Sequence, residues 1–263
     1  MLLLLKLTLT PLVVTIATIV ARRFGTRAGG MVTGLPLTAG PVSLFLALER
    51  GVPFAADAAM AMILSLISIA GFACGYRTAA RWGWTAGVAA GFATHLTVTA
   101  LLSQLPFTLP VAVLAAGAIV AVALTYVGGR RHQASKSQGS KFWELPLRML
   151  VATTLVLVIT TTAEAIGSRV AGLLTTLPII ASVIIVTAHR AGGPAEAVVA
   201  VRGHLLGSLS LGAFFAVLAA IIEPAGMLVA YAAAIVTAIA VNRIIMWLET
   251  PPALEAIAPA KGR

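Results

Sequence analysis

Two stretches of this sequence, read side by side, decide the fold. Residues 25–39 read GTRAGGMVTGLPLTA, and residues 167–181 read GSRVAGLLTTLPIIA. They align without a gap, because Gly25 matches Gly167 and Pro36 matches Pro178 at the same offset of 142 residues. Each stretch is apolar enough for a membrane helix, and each carries a proline within it. The chain therefore contains a duplicated unit with an interrupted helix.

The duplication extends backwards into the preceding predicted helix. At the same offset Lys6 matches Arg148, and Thr18 matches Thr160. Repeated membrane units whose helices are interrupted by glycine and proline are typical of transporters, in which the interrupted helices meet at a central site. We therefore expect the two prolines to lie on antiparallel partner helices near the middle of the membrane.

The composition places the chain in a membrane. Of its 263 residues, 60% are hydrophobic and 10% are charged, whereas a soluble domain carries about 25% charged residues. A helix crosses the bilayer core with about 20 apolar residues, and continuous apolar runs argue against strands. We predict an all-α polytopic membrane bundle of about nine transmembrane helices in two inverted repeats, with helices two and seven broken. The predicted segments are 2–21, 29–48, 53–76, 83–104, 108–128, 146–166, 170–188, 195–222 and 225–247.

The distribution of charge sets the orientation. The net charge of +10 comes from basic residues clustered in loops, which is a topology signal rather than a nucleic-acid footprint. Most of them share one face only if the N-terminus is outside and the C-terminus is cytoplasmic. An odd number of helices then separates equivalent residues, so the repeats are inverted. The predicted domains are a first four-helix repeat (1–105), a linker helix with a basic cytoplasmic loop (106–145), a second four-helix repeat (146–250) and a cytoplasmic tail (251–263).

Three short motifs in the first unit carry a family resemblance. They are Lys6 with PLVV at 11–14, GLPL at 34–37, and LERG at 48–51. On these motifs residues 5–75 resemble the GlpM-type small inner-membrane proteins, each a single four-helix unit, and residues 147–190 echo them more weakly. The chain departs from the pattern at Gly40-Pro41 and at His189-Arg190-Ala191. The resemblance implies a bacterial inner-membrane protein that arose by fusion of a small unit, and it names no reaction.

The proline-interrupted segments are the predicted substrate site. Proline removes a backbone donor and clashes with the carbonyl four residues before it, and in lipid the freed groups need protein or a watery cavity around them. The half-helix after a break presents N–H groups and a positive partial charge, which suits an anion. The alternative is a structural kink with close packing by small residues. The substrate-binding candidates are Gly34, Pro36, Thr38, Gly40, Thr175, Thr176, Pro178 and Arg202.

Ionisable residues inside the predicted helices are candidates for coupling or gating, because intramembrane charges usually serve function. Lys6 and Arg148 either snorkel to the interface or form a symmetric pair of gating charges. His95 either titrates during proton coupling or stays neutral in a hydrogen bond to a neighbouring helix. Arg202 lies deep in its predicted helix and is the candidate for meeting an anionic group.

Two carboxylates, Asp57 and Glu164, lie near the outer ends of predicted helices. Asp57 has either a coupling role or a place in an interfacial ion pair, with Lys6, Arg50 or Arg169 as its partner. Glu164 precedes Arg169 by only five residues, so we expect those two side chains to form a structural pair.

Enzyme signatures are absent from the sequence, which has no HExxH, Gly-x-Ser-x-Gly or P-loop motif. One cysteine and four histidines give no metal constellation. We expect no enzyme, catalytic residue, cofactor, metal or nucleic-acid partner. We expect a secondary transporter or lipid flippase for an anionic substrate, an organic acid or a phosphate-bearing lipid, working by alternating access. The alternatives are a channel and a non-transporting membrane scaffold for an envelope enzyme. Expected partners are membrane lipids, the substrate and a second copy if the fused repeats still dimerise.

Overall fold

The computed structural model describes residues 3–15, 36, 38–128 and 144–249, except for the side chains of Glu144, Leu147 and Arg148. The ends predicted for helices one and two at residues 21 and 29, the loop 129–143 and the tail 251–263 lie outside the described residues. All regular elements within the described ranges are helices, which confirms the all-α class. They are α1 (Leu3–Thr15), α2 (Ala39–Arg50), α3 (Val52–Ala79) with a 3-10 turn at Ala80–Trp82, α4 (Trp84–Ser103), α5 (Leu109–Val127), α6 (Glu144–Thr175) and α7 (Ile179–Glu249).

The last two helices are bent at glycines. Gly167 interrupts α6 with φ 76°, and α7 is interrupted by Gly193 at φ 75° and Gly226 at φ 77°. Only glycine adopts this left-handed region without strain, and Pro194 and Pro224 beside two of these bends lack the N–H that a continuous helix needs. We call the straight segments α6a (144–166), α6b (168–175), α7a (179–192), α7b (194–225) and α7c (227–249).

Several helices are long and apolar enough to cross a membrane. In the described part of the chain four spans meet this criterion: Val52–Trp82, Trp84–Ser103, Leu109–Val127 and Met149–Glu249. The last of them covers 101 residues and contains the three bends at glycine. The structure is therefore that of a helical protein compatible with a membrane, as the composition predicts.

Helix α3 and segment α7b form the interior of the bundle. Residues 61–66 of α3 and residues 199–208 of α7b are all buried. The apolar stretch of Val52–Trp82 is 72% buried, against 28% for α4 and for α5, so the latter two leave most of their surface for lipid. The sequence suggested the interrupted helices as the centre, whereas these two longer segments are the most enclosed of those described.

Small residues allow the helices to approach α3 closely. A Cβ added at Gly75 would lie 2.7 Å from the Ala90 carbonyl oxygen of α4, and one added at Gly172 of α6b would collide with the Ala58 carbonyl. Such close approach of backbones is the usual way in which membrane helices pack. Helix α3 thereby positions α4, which carries His95, and α6b, which carries Thr175.

Candidate functional site

The helix break at Pro178 is present in the structure. Segment α6b ends at Thr175, and α7a begins at Ile179. Between them the Leu177 amide donates to the Leu174 carbonyl at 3.1 Å, and the Ile179 amide donates to the Leu177 carbonyl at 2.8 Å. The helical hydrogen-bond ladder resumes when the Ser182 amide donates to Pro178 at 2.8 Å. This apolar part of the chain is therefore interrupted where the sequence predicts it.

The matching break lies before α2. Pro36 is non-helical, and its carbonyl accepts a 2.8 Å hydrogen bond from the Gly40 amide. Helix α2 begins after Thr38, whose side chain does not cap it. Pro41 lies within the first turn of α2, where an N–H has no intrahelical acceptor, so it does not interrupt the helix. The candidate Gly34 lies outside the described residues.

Hydroxyl groups accompany both breaks, and Ser43, Thr175 and Thr176 are buried. Thr175 donates to the Ala171 carbonyl at 2.6 Å, and Thr176 donates to the Leu173 carbonyl at 3.0 Å. Near the other break the Tyr231 hydroxyl donates to Ser43 Oγ at 3.1 Å. These threonine protons serve the helix itself, which leaves the oxygen lone pairs as acceptors. The breaks therefore offer hydrogen-bond acceptors in a largely apolar setting.

Lys6 does not snorkel to the surface. It is 4% exposed, and its ammonium donates to Glu49 Oε2 at 2.8 Å and to Thr160 Oγ1 at 2.7 Å. It also lies 5.7 Å from the centre of the Phe45 ring. A buried amine needs such partners because its desolvation is costly. Lys6 thus joins α1, α2 and α6a, and Glu49 is a member of this cluster that the sequence did not single out.

Arg202 has protein partners for its charge. It is 9% exposed, and its guanidinium donates to Glu249 Oε1 at 3.1 Å and to the carbonyls of Leu124 and Gly128 at 3.0 and 3.3 Å. At the end of α5 the Leu124 carbonyl also accepts a 3.2 Å hydrogen bond from the Gly128 amide, so Arg202 adds donors to the carbonyls of this helix C-terminus. The anionic group that the structure shows beside Arg202 is therefore Glu249.

His95 occupies the junction of three helices. It is fully buried, and neither ring nitrogen has a hydrogen-bond partner. Beside it the Thr99 hydroxyl of α4 donates to Ser68 of α3 at 2.9 Å. His204 of α7b lies close enough for the two imidazoles to interact electrostatically. His204 was not among the sequence candidates, and its position near a second buried histidine is a signal that only the fold provides.

The two carboxylates near the outer helix ends, Glu164 and Asp57, do not form the ion pairs that the sequence predicts. Glu164 forms an ion pair with Arg50 rather than with Arg169, and Arg169 donates to the Leu105 carbonyl at 2.6 Å. The four intervening residues include the bend at Gly167, which turns the two side chains apart. Asp57 is exposed and makes no ion pair with any residue in the described ranges.

The candidates occupy separate neighbourhoods. The contacts given above for the proline breaks, the Lys6 cluster, the Arg202 cluster and the histidine pair involve different residues, and no group of three potential metal ligands occurs among the described residues. The side chain of the candidate Arg148 is outside the description. The arrangement provides buried polar groups at several depths of the bundle rather than one catalytic constellation.

Comparisons with known proteins give no relative. No family model, curated protein or solved structure that was compared with the chain matches it. The likeness to GlpM-type proteins therefore stays an interpretation of the short motifs. What can be inferred about function comes from the chain itself.

Proposed function

We propose that this chain is a secondary transporter or lipid flippase of the bacterial inner membrane, built from two inverted repeats and moving an anionic substrate by alternating access. The observation that carries the proposal is the interruption of an apolar helix between Thr175 and Ile179, at the position equivalent to the non-helical Pro36. Backbone without helical hydrogen bonds is tolerated at membrane depth only inside protein or beside a watery cavity.

Backbone geometry at the turns supports the duplication. Gly51 and Gly193 are 142 residues apart, the offset of the sequence repeat, and have φ/ψ of 88°/168° and 75°/−167°. Gly83 and Gly226 are 143 residues apart, with φ/ψ of 108°/166° and 77°/166°. These are rare conformations outside glycine. Their recurrence in the same order, before and after the longest buried helix of each half, is what a fused duplication predicts.

Contacts between helices support the inversion. Lys6 and Thr15 of α1 contact Thr160 and Met149 of α6a respectively, so these two segments, equivalent in the repeat, pack antiparallel. Equivalent turns are also at opposite ends. Gly51 follows Arg50, which pairs with Glu164.

The other end is fixed by a different set of contacts. Gly193 lies near His189, whose ring accepts or donates a 2.9 Å hydrogen bond with Tyr76. Thr78, two residues further along α3, contacts Tyr126 at 2.9 Å, close to the Gly128 carbonyl that Arg202 binds. We call the two ends of the bundle the Lys6 end and the Arg202 end.

We further propose an orientation and a helix count from these two ends. Exposed arginines 77, 81, 190 and 243 belong to helix ends on the Arg202 side, and the positive-inside bias makes that side cytoplasmic. In the proposal α1, α2, α3, α4, α5, α6a, the interrupted pair α6b–α7a, α7b and α7c make nine crossings. The N-terminus is then outside and the C-terminus is cytoplasmic.

The choice of an anionic substrate has narrower support than the choice of a transporter. Lys6 and Arg202 are each neutralised by a glutamate, so they do not offer a free charge in this conformation. What remains is the helix N-terminus after each break, at Ala39 and Ile179, where partial positive charge favours an anion.

A reconstitution experiment tests the proposal. Purified protein in proteoliposomes is assayed for uptake of labelled organic anions under an imposed gradient, and for movement of a fluorescent phospholipid between leaflets. We expect activity in one of the two assays and a lower rate for Pro178→Ala. Pro53→Ala is the matched control, since Pro53 lies in the first turn of α3 and should leave the rate unchanged. Flux of the solute down its own gradient that needs no coupling gradient and does not saturate would indicate a channel. Inactivity in both assays would leave the scaffold alternative.

A further inference from the structure

Two arginines at the Arg202 end are held against aromatic rings. Arg77 lies in the last turn of α3, and Arg81 follows in the 3-10 turn, four residues later. The guanidinium carbon of Arg77 lies 5.5 Å from the centre of the Tyr126 ring, and that of Arg81 lies 4.3 Å from the centre of the Trp82 ring. Both arginines are exposed. The turn thus presents two guanidinium groups whose positions are set by stacking.

The hydrogen-bond donors of both groups remain available. Stacking uses the face of a guanidinium, while its five N–H donors point outward around the rim. Neither Arg77 nor Arg81 forms an ion pair with a carboxylate anywhere in the described ranges, in contrast to Arg50 and Arg202, which pair with glutamates. Two fixed positive charges without an anion on the same turn form a receptor for an anionic group.

The surroundings place this receptor at the depth of lipid headgroups. Trp82 is 63% exposed, Trp84 is 41% exposed and Tyr126 is 50% exposed, and exposed tryptophan and tyrosine mark the membrane interface. The Tyr126 hydroxyl is within 2.9 Å of Thr78, which holds the ring in place under Arg77. The arginines terminate the apolar span Val52–Trp82.

An exposed apolar stripe continues from this point toward the middle of the membrane. Val122 is 68% exposed and Ile119 is 40% exposed, and they lie four and seven residues before Tyr126, on the same face of α5. A headgroup held by the arginines would therefore have its acyl chains along α5. A soluble anion would make no use of this stripe.

We propose that Arg77 and Arg81, with Tyr126 and Trp82, bind the headgroup phosphate of an anionic phospholipid in the leaflet at the Arg202 end. Two arginines match the oxygens of a phosphate with directed hydrogen bonds, and an anionic headgroup adds attraction that a zwitterionic one lacks. The site does not depend on transport by the chain, since it lies on the outer surface of α3 and α5 and uses none of the residues assigned to the helix breaks.

The experiment is native mass spectrometry of the purified protein with added phosphatidylglycerol or phosphatidylcholine. The double variant Arg77→Gln/Arg81→Gln removes the receptor. Arg190→Gln/Arg243→Gln removes two exposed arginines from the same end without touching the stacked pair, so both variants have the same net charge. We expect phosphatidylglycerol to bind the wild type in preference to phosphatidylcholine, and this preference to fall about thirtyfold in the first variant, at roughly 1 kcal/mol for each arginine. In the second variant it should fall less than about threefold.

A conservative variant controls for loss of folding in the glutamine variant. Arg77→Lys/Arg81→Lys keeps both charges and loses the stacked planar groups, so it should bind an intermediate amount of phosphatidylglycerol. Inorganic phosphate, added as a competitor, should not displace the lipid. Equal preference for phosphatidylglycerol in the two glutamine variants would overturn the proposal, as would displacement of the lipid by inorganic phosphate.

Discussion

The two ends of the bundle use their charges differently. At the Lys6 end, contacts cross between the proposed repeats, because Lys6 reaches Thr160 and Arg50 reaches Glu164. At the Arg202 end, the buried ion pair lies within the second repeat, between Arg202 and Glu249. Among the described residues, a neutral contact between Tyr76 and His189 crosses the repeats at that end.

This difference indicates which end holds the halves together in the described conformation. The Arg50–Glu164 ion pair and the Lys6–Thr160 hydrogen bond join the repeats at the Lys6 end and have to separate if that end opens, whereas the ion pair at the Arg202 end can move as part of one half. In the proposed alternating-access cycle, the described conformation would therefore be closed at the Lys6 end.

Removal of Lys6 should destabilise the protein most. Lys6→Ala leaves Glu49 and Thr160 without their buried partner, and breaking a buried pair costs about 3–5 kcal/mol. The free energy of unfolding in mixed micelles measures the effect. Lys6→Met/Glu49→Leu, which replaces the pair by apolar side chains, should recover most of the loss. A single Lys6→Ala variant as stable as the wild type would contradict the buried cluster.

Removal of Arg202 should cost about 3 kcal/mol, because Glu249 and the carbonyls of Leu124 and Gly128 each lose the hydrogen bond from its guanidinium. The unfolding assay measures this loss, and protease sensitivity after Gly128 reports whether the end of α5 loosens. Arg202→Lys keeps the charge without the forked donors and should lie between the wild type and Arg202→Ala. If Arg202→Ala left the free energy of unfolding unchanged but abolished substrate binding, Arg202 would belong to the substrate site and its contacts with Glu249 and α5 would not be structural.

Loss of the Tyr76 hydroxyl should have a modest effect. Tyr76→Phe removes one buried hydrogen bond to His189, worth about 1 kcal/mol. Because this contact crosses the repeats at the Arg202 end, its loss should also ease separation there. The check is labelling of a cysteine placed at Ala191, in a Cys74→Ala background, which should become faster. Slower labelling than in the parent would contradict the assigned position of the contact.

Removal of the exposed ion pair should have the smallest effect on stability. In the Arg50–Glu164 pair the Glu164 side chain is 78% exposed, and such surface pairs contribute about 0.5 kcal/mol. Arg50→Ala should therefore change unfolding little. A disulfide between Arg50→Cys and Glu164→Cys should nevertheless stop transport, since it prevents opening at the Lys6 end. Full transport by the cross-linked protein would show that this end does not move.

Local features of the fold could be predicted where glycine or proline ends a helix. The segments predicted at 53–76, 83–104 and 108–128 agree with α3, α4 and α5 to within a few residues, because Gly51, Gly83 and Gly128 flank them. The break at Pro178 was predictable for the same reason. These features depend on the conformational limits of one or two residues and need no knowledge of packing.

Contacts between distant residues could not be predicted. Lys6 and Glu49 are 43 residues apart, and Arg50 and Glu164 are 114 residues apart, so several pairings of basic and acidic residues are equally compatible with the sequence. Which pair forms depends on how each helix is rotated against α3. The proximity of His95 to His204 could not be predicted for the same reason, because the sequence around either histidine does not indicate the other as its neighbour.

The most direct test of the central claim is the sidedness of equivalent turns. Single cysteines are placed at Pro53, Trp82, Ala191 and Ala225 in a Cys74→Ala background, and a membrane-impermeant maleimide is applied to intact cells and to inverted vesicles. The inverted duplication predicts that positions 53 and 225 react from outside, and that positions 82 and 191 react only from the cytoplasmic side. Reaction of 53 and 191, or of 82 and 225, from the same side would contradict it.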